Sequence, residues 1–212
     1  GDGVEGHEIP HHLGVEPELS IFKSRDSAAS WLVQSPLAGS SSFLLLDTTA
    51  ALAPSTGAIS VFSEATIAMG ASIYNIIAEN HISYHFASKA GVSKVGKYIG
   101  TGAAGNYVDC GFKAGWVMVK NLTGANGWYI IDAIRDPDNF FFADMSNAEG
   151  VNTNNGDLSA NGFHLRGTGT STNALNSEYL FLAFAETNTD ATKAWTDYTY
   201  PTTADTLSIA QD

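Results

Sequence analysis

The chain has 212 residues, a mass of 22.4 kDa and a formal net charge of −12. This length suits one domain or two small ones and excludes a large multidomain machine, while the acidic charge disfavours nucleic-acid partners and anionic membranes. The single cysteine, Cys110, excludes an internal disulfide and a cysteine-rich zinc site, so we expect it to be a small buried residue.

Short apolar segments separated by turn-forming residues predict strands rather than helices, and hence an all-β fold. In the first half we predict strands at residues 19–23, 31–33 and 81–87, with a turn at residues 24–30. No segment has the ~18 to 20 consecutive apolar residues of a membrane span, so we expect no membrane insertion. Because the first residue is glycine, we expect a processed chain or a fragment of a longer protein.

The second half shows the same pattern of strands and turns. Residues 116–120 and 128–132 flank a segment rich in Asn, Gly and Thr, which predicts a hairpin. An Asn-Gly pair precedes another predicted strand at residues 163–166. The long apolar run at residues 179–185 predicts a strand that is buried on both faces.

The two halves of the chain match each other in sequence. Three pairs of residues are separated by the same 97 positions: Gly14 and Gly111, Lys23 and Lys120, and Trp31 and Trp128. Phe86 and Phe184 are 98 positions apart, which indicates one inserted residue. Because equal spacing of strand, turn and strand fixes equal hairpin geometry, each pair is predicted to occupy equivalent places in two superposable units.

We therefore predict two tandem, divergent β-sandwich repeats of jelly-roll or lectin-like type, at residues 1–92 and 93–186, each with about six or seven strands. The copies either form two lobes in contact, which we favour, or merge their sheets into one larger sandwich. An extended C-terminal arm follows at residues 187–212. Its aromatic residues are too numerous for a solvated tail, so we expect them to contact another subunit, the alternative being that the arm folds back on its own lobe. These residues are Trp195, Tyr198 and Tyr200.

No sequence motif assigns a catalytic residue. Residues 100–105 match G-x-G-x-x-G, but no helical pattern follows, so we interpret them as a flexible turn rather than a nucleotide site. The histidines lack the spacing of a metal centre, no G-x-S-x-G motif is present, and only Lys113 lies near Cys110 to activate its thiol. We therefore expect a protein without enzymatic activity.

Two sets of residues are candidate ligand sites. Asp132, Asp136 and Asp138 lie in one polar segment that could hold Ca²⁺, although a turn stabilised by Asx side chains is the interpretation we favour. Trp31 and Trp128 could stack on sugars, but their equivalent places at the start of two strands favour buried core positions. Calcium is the one cofactor that this pattern suggests.

The second copy contains a series of segments that also occur together in other proteins. These segments are residues 92–102, 111–113, 117–120, 127–132, 135–136, 161–163 and 184–186. The series resembles an uncharacterised domain common in tail-fibre-like and other virion proteins of marine bacteriophages. Residues 9–19 with Lys23, Arg25, Asp26 and Trp31 resemble the repeat that precedes that domain in the same proteins.

This resemblance implies a non-enzymatic structural protein on the virion surface, in a tail fibre or host-recognition appendage or as a shell decoration. It also implies assembly with other copies of the chain and with neighbouring virion proteins. The family has no assigned catalytic or binding residues, so none can be transferred to this chain. The alternative function is a carbohydrate-binding, lectin-like module that binds a host glycan through surface aromatic residues and calcium.

Overall fold

The computed structural model describes residues 1–54, 59–70, 74–135, 138–152 and 156–186. Within these ranges the chain forms seventeen strands and no helix, which confirms the predicted all-β fold. The strands of the first copy are β1 His7–Pro10, β2 Leu19–Ser24, β3 Leu32–Gln34, β4 Ser42–Leu45, β5 Ala53–Pro54, β6 Ile59–Phe62, β7 Thr66–Met69 and β8 His81–Phe86. Those of the second copy are β9 Ser93–Ile99, β10 Asn106–Asp109, β11 Ala114–Asn121, β12 Tyr129–Asp132, β13 Asn139–Phe142, β14 Gly150–Val151, β15 Gly156–Ser159, β16 Gly162–Leu165 and β17 Glu178–Ala185. A helix of the length and apolarity that a bilayer requires is thus missing from the described ranges.

Each copy has one large and one small sheet, and all strand pairs are antiparallel. In the first copy the large sheet has the order β5-β4-β3-β2-β8 and the small sheet has the order β1-β7-β6. In the second copy the orders are β14-β13-β12-β11-β17-β9 and β10-β16-β15. The topology is the same in both copies, except that β9 has no counterpart in the described part of the first copy.

The strand registers of the two copies also agree. Leu19 lies opposite Phe86 in the β2–β8 pair, and Trp116, which is 97 positions after Leu19, lies opposite Phe184 in the β11–β17 pair. Lys23 in β2 and Lys120 in β11 therefore occupy equivalent positions. The small sheets differ at one place. The pairing of β6 with β7 contains a register shift, whereas the pairing of β15 with β16 is regular.

Within each copy, one face of the large sheet packs against the small sheet. In the first copy Phe22 and Leu32 of the large sheet contact a cluster that includes Ile67 and Met69 of the small sheet. In the second copy the corresponding cluster includes Val117, Val119, Tyr129, Phe163, Leu165 and Phe181. Because side chains alternate between the two faces of a strand, the intervening residues of each large sheet point away from its small sheet.

Those intervening residues form a third core that the two copies share. Leu19 and Ile21 of β2 pack in one cluster with Leu180 and Leu182 of β17 and with Trp128. The layers therefore run small sheet, large sheet, large sheet, small sheet, and the hydrogen-bonded sheets of the two copies stay separate. Both faces of β17 are therefore covered, and its residues 179–183 are buried. This confirms the prediction that residues 179–185 form a strand buried on both faces.

Candidate functional site

Trp128 lies at the centre of the core that the two copies share. Its side chain is 1% exposed, and its indole Nε1–H donates a hydrogen bond to the Leu45 carbonyl of the other copy at 2.8 Å. The backbone N–H of Trp128 donates to Asp144 Oδ1 at 2.7 Å. This ring has no free face for a sugar, so the geometry rejects Trp128 as a sugar-stacking candidate and supports the core position that we favoured.

Lys120 is a fully buried cation beside Trp128. Its ammonium group donates hydrogen bonds to the Thr49 carbonyl of the first copy at 3.0 Å and to the Asn126 carbonyl of its own copy. It also lies 6.0 Å from the Trp128 ring centroid. Burial lowers the pKa of Lys120 to about 8, and the charge of Asp144 opposes part of that shift.

The spacing that identified Lys120 as a repeat position does not predict that its side chain is buried. One signal was present in the sequence, because Lys120 follows the apolar residues 117–119 without a break. A buried lysine is stable only where its charge meets hydrogen-bond acceptors, and here these are two main-chain carbonyls. The arrangement holds the ammonium group between a carbonyl of each copy and so links the two copies.

Trp31, the counterpart of Trp128, lies at the border of the shared core. It is partly exposed and stacks on Tyr84 of β8, with ring centroids 6.4 Å apart and an interplanar angle of 26°. Its backbone N–H donates to Asp47 Oδ1 at 3.3 Å, as Trp128 does to Asp144 in the second copy. Tyr84 is 44% exposed, so this aromatic pair is open to solvent.

Among the described residues, the strand that carries Tyr84 is an edge strand of the first copy's large sheet. In the described part of the chain β8 pairs with β2 alone, whereas β17 pairs with both β11 and β9. Ile82 and Tyr84 are exposed large apolar residues of β8, whereas their counterparts in β17, Leu180 and Leu182, are buried. The edge of β8 is therefore the principal candidate interaction surface of the first copy.

The candidate calcium ligands of the described loop are bound to arginines. Asp132 Oδ2 accepts hydrogen bonds from Nε (2.7 Å) and Nη2 of Arg135, and Asp138 Oδ1 accepts one from Nη2 of Arg166 at 2.6 Å. Burial alone would raise the pKa of Asp132, but hydrogen bonds and charge from Arg135 hold it below its usual value. Asp136 lies outside the described residues.

These contacts agree with the favoured interpretation, a turn stabilised by Asx side chains, at Asp132 and Asp138. A guanidinium group beside each carboxylate supplies the positive charge that a cation would have to displace. Within the described ranges, no group of three His, Cys, Asp or Glu side chains is placed to hold a metal ion. Asp132 instead stabilises its own turn, because Oδ1 accepts the backbone N–H groups of Ile134 and Arg135.

His85 is partly buried and the single cysteine is buried. Both ring nitrogens of His85 lie within hydrogen-bond distance of serine hydroxyls, 2.9 Å from Ser20 Oγ and 3.0 Å from Ser83 Oγ. Burial, with a smaller contribution from the neighbouring His11 ring, lowers the pKa of His85 to about 4. Cys110 is buried as expected, and burial raises the pKa of its thiol to about 11, so the thiol form prevails at neutral pH.

The remaining candidate residues belong to the C-terminal arm. Trp195, Tyr198 and Tyr200, which we expected to make contacts between subunits, lie outside the described residues. The structure therefore brings together two of the sequence-derived features, Trp128 and Lys120, in the shared core, and it places the Trp31 ring against Tyr84 of β8.

Comparison with known proteins gives one family. A family described as a domain of unknown function, DUF7483, matches residues 1–188. The matched segment contains both copies, so the family unit includes the whole four-layer arrangement. No curated protein and no solved structure matches the chain.

Proposed function

The chain belongs to the DUF7483 family, and we propose that it is a non-enzymatic structural protein of a bacteriophage particle. It would lie on the virion surface, in a tail fibre or other host-recognition appendage or as a decoration of the shell. Its partners would be other copies of itself and neighbouring virion proteins. The sequence resemblance supports the phage context, and the geometry of the junction between the copies supports the structural role.

The observation that carries the structural role is the apolar core that joins the two copies, beside which an open groove runs between Glu18 and Leu37 of the first copy and β9 of the second. Ligand-binding and catalytic sites commonly occupy the cleft between two domains. Here the described parts of the two large sheets meet through apolar side chains, such as Leu19 and Ile21 of β2 and those of β17, together with Trp128. Lys120 and Trp128 each bind a main-chain carbonyl across the junction, which restricts hinge motion of one copy against the other.

An apolar core shared by the two copies suits a rigid unit in a larger assembly. Most of both faces of each large sheet is covered, so within the described residues the most exposed main-chain groups of these sheets lie at their edges, which β5 and β8 form in the first copy and β14 and β9 in the second. Free edges are the usual places at which β-proteins add strands from a partner. Assembly through edges would leave the four-layer core unchanged.

Mass spectrometry of purified particles of the phage that encodes the chain tests this proposal. We expect the chain to be recovered in a fixed ratio to the other structural proteins, and an antibody raised against residues 1–186 to label intact particles. Labelling only after the particles are disrupted would place the chain inside them. A chain abundant in infected cells and missing from purified particles would contradict the structural role.

One observation favours a carbohydrate-binding module as a second candidate. Trp31 and Tyr84 form a stacked, solvent-accessible aromatic pair, and such pairs can bind the faces of sugar rings. A glycan array compares the native chain with Tyr84→Ala, and Tyr107→Ala is the control because Tyr107 is equally exposed at 44%. Saturable glycan binding that Tyr84→Ala abolishes and Tyr107→Ala leaves intact would favour this function over the structural one. Glycan binding that persists in EDTA would show that it does not require calcium.

A further inference from the structure

The loop that follows β9 is fixed by a set of hydrogen bonds. The N–H of Gly100 donates to the Ser177 carbonyl at 2.8 Å, and the N–H of Asn176 donates to the Gly100 carbonyl at 2.9 Å. The buried side chain of Asn173 accepts from the N–H one residue after Gly100 at 2.9 Å and donates to the carbonyl three residues after it at 2.8 Å. These bonds fix the direction in which β9 leaves its sheet.

The same set of hydrogen bonds surrounds Gly1. Its amino group donates to the Glu79 carbonyl at 2.6 Å, and the N–H of Ala78 donates to the Gly1 carbonyl at 3.1 Å. The buried side chain of Asn75 accepts from the N–H one residue after Gly1 at 3.2 Å and donates to the carbonyl three residues after it at 2.8 Å. Ala78 even adopts the positive φ, 63°, of its counterpart Asn176 at 60°.

Gly1 therefore occupies the place at which a strand equivalent to β9 would end. In the second copy β9 runs antiparallel to β17 over seven residue pairs, from Ser93 opposite Phe184 to Ile99 opposite Glu178. Gly100 follows directly on Ile99. In the first copy the equivalent edge, along β8, has no partner strand in the described residues.

The side chains along β8 show what this edge would gain from a strand. Ile82 and Tyr84 are 39% and 44% exposed, although the residues at the same places in β17 belong to the shared core. In the second copy Val95 of β9, which lies opposite Leu182, is also part of that core. An apolar residue opposite Tyr84 would extend the shared core in the same way.

We propose that the edge of β8 is the acceptor for one further strand, which runs antiparallel to β8 and continues into Gly1. This strand would complete a six-stranded sheet equal in topology to that of the second copy. Its chemistry would be that of β9, with an apolar residue opposite Tyr84. It would differ at one place. Gly96 in β9 lies under the ring of Phe181, but the residue of β8 that is equivalent to Phe181 is Ser83. The added strand therefore has room for a larger side chain where β9 has Gly96.

The main-chain geometry favours a strand that is continuous with Gly1 over a strand from a second copy. The hydrogen bonds from Gly1 to Glu79 and from Ala78 to Gly1 already place the chain at the end of the β8 edge, in the direction that an antiparallel strand requires. A strand joined there loses little further entropy on being positioned, because one end is already fixed. This inference holds whether or not the chain is a virion protein.

A fusion protein tests the proposal. The segment Ser-Lys-Val-Gly-Lys-Tyr-Ile, which is the sequence of β9, is joined directly before Gly1 of the full chain. The control is the same fusion with the valine and the glycine of the added segment replaced by proline, which cannot pair within a sheet. We expect the first fusion to raise Tm by about 5 °C and to slow amide hydrogen exchange in β8 by at least ~10-fold, while the control behaves as the native chain.

Two outcomes would overturn the proposal. Unchanged exchange of the β8 amides in the first fusion would show that the edge does not accept this strand. Protection of β8 in the native chain that increases with protein concentration, together with a dimer that the fusion leaves intact, would assign the edge to a second copy. Sedimentation velocity on the native chain and both fusions measures the dimer directly.

Discussion

Lys120 shows how one charged side chain can connect two halves of a fold. Removing an ammonium group from water costs several kcal/mol unless polar groups replace the lost hydration. The carbonyls of Thr49 and Asn126, one in each copy, supply that replacement. The nearby Trp128 ring adds a weaker attraction for the cation. The position of the charge thus depends on both copies being in place.

The lowered pKa of Lys120 predicts a pH dependence of stability. Its pKa is about 8 in the folded chain against 10.5 for a free lysine, so between these values the unfolded chain binds more protons, and stability rises with pH. At about 1.4 kcal/mol for each pH unit, the rise from this one group is on the order of 3 kcal/mol at most. It is measured by urea denaturation from pH 7.5 to 10.5, relative to Lys120→Met.

The comparison with Lys120→Met isolates this effect from other titrating groups. Tyrosines whose pKa burial raises, such as Tyr129, titrate alike in both proteins and cancel in the difference. Parallel stability curves for the native chain and the variant would show that the Lys120 ammonium is not destabilised by its burial.

Trp128 and Trp31 form a matched pair for testing the shared core. Trp128→Ala empties a large, fully buried site, so we expect a loss of about 3 to 5 kcal/mol in the free energy of unfolding. Trp31→Ala removes a partly exposed ring and should lose less, about 1 to 2 kcal/mol. Chemical denaturation measures both values. Equal losses from the two variants would contradict the difference in burial on which this expectation rests.

Sequence spacing predicts equivalence between residues better than it predicts their surroundings. Lys23 and Lys120 have equivalent places in β2 and β11, yet Lys23 donates to the Ser24 and Ser27 carbonyls of its own turn. Lys120 instead reaches Thr49 in the other copy. The difference arises from packing between distant segments, which the spacing of residues along the chain does not contain.

At the level of elements, β8 and β17 have equivalent places and opposite degrees of burial. β17 is paired on both sides and covered on both faces, whereas β8 is an edge strand within the ranges that the structure describes. We expect the amide hydrogens of β17 to exchange only on global unfolding. Those amides of β8 that do not pair with β2 should exchange at least ~100-fold faster. Hydrogen exchange followed by mass spectrometry checks this, and uniform protection of β8 in the native chain would contradict it.

The elements that sequence patterns identify are those with strong apolar runs. The hairpin formed by β11 and β12 and the buried strand β17 were predicted from the sequence. β10 was not, because Asn106–Asp109 contains one buried residue, Val108, between polar or exposed neighbours. Its strand conformation depends on pairing with β16, a tertiary contact that outweighs local propensity.

At the level of the whole molecule, the four-layer arrangement explains why the large sheets are apolar on both faces. Each copy alone would expose Leu19 and Ile21, or Leu180 and Leu182, to water. Packing the large sheets together buries these surfaces at about 25 cal/mol per Å² of apolar area. The sequence predicts that β17 is covered on both faces, but periodicity cannot identify the covering layer, because a small sheet and a second large sheet require the same apolar side chains.

The C-terminal arm carries the last prediction, which concerns assembly. Residues 187–212 contain Trp195, Tyr198 and Tyr200, and residues 196–200 alternate in the way that a strand added to a sheet edge requires. If the arm joins neighbouring copies, deleting residues 187–212 should reduce the mass in solution to that of a single chain and lower Tm. Light scattering after size-exclusion chromatography and a thermal melt measure the two effects. The control replaces Trp195, Tyr198 and Tyr200 by serine in the full-length chain and should reproduce the deletion, since the aromatic side chains supply the contacts. An assembly unchanged in size and thermal stability would rule out the arm as the link between subunits.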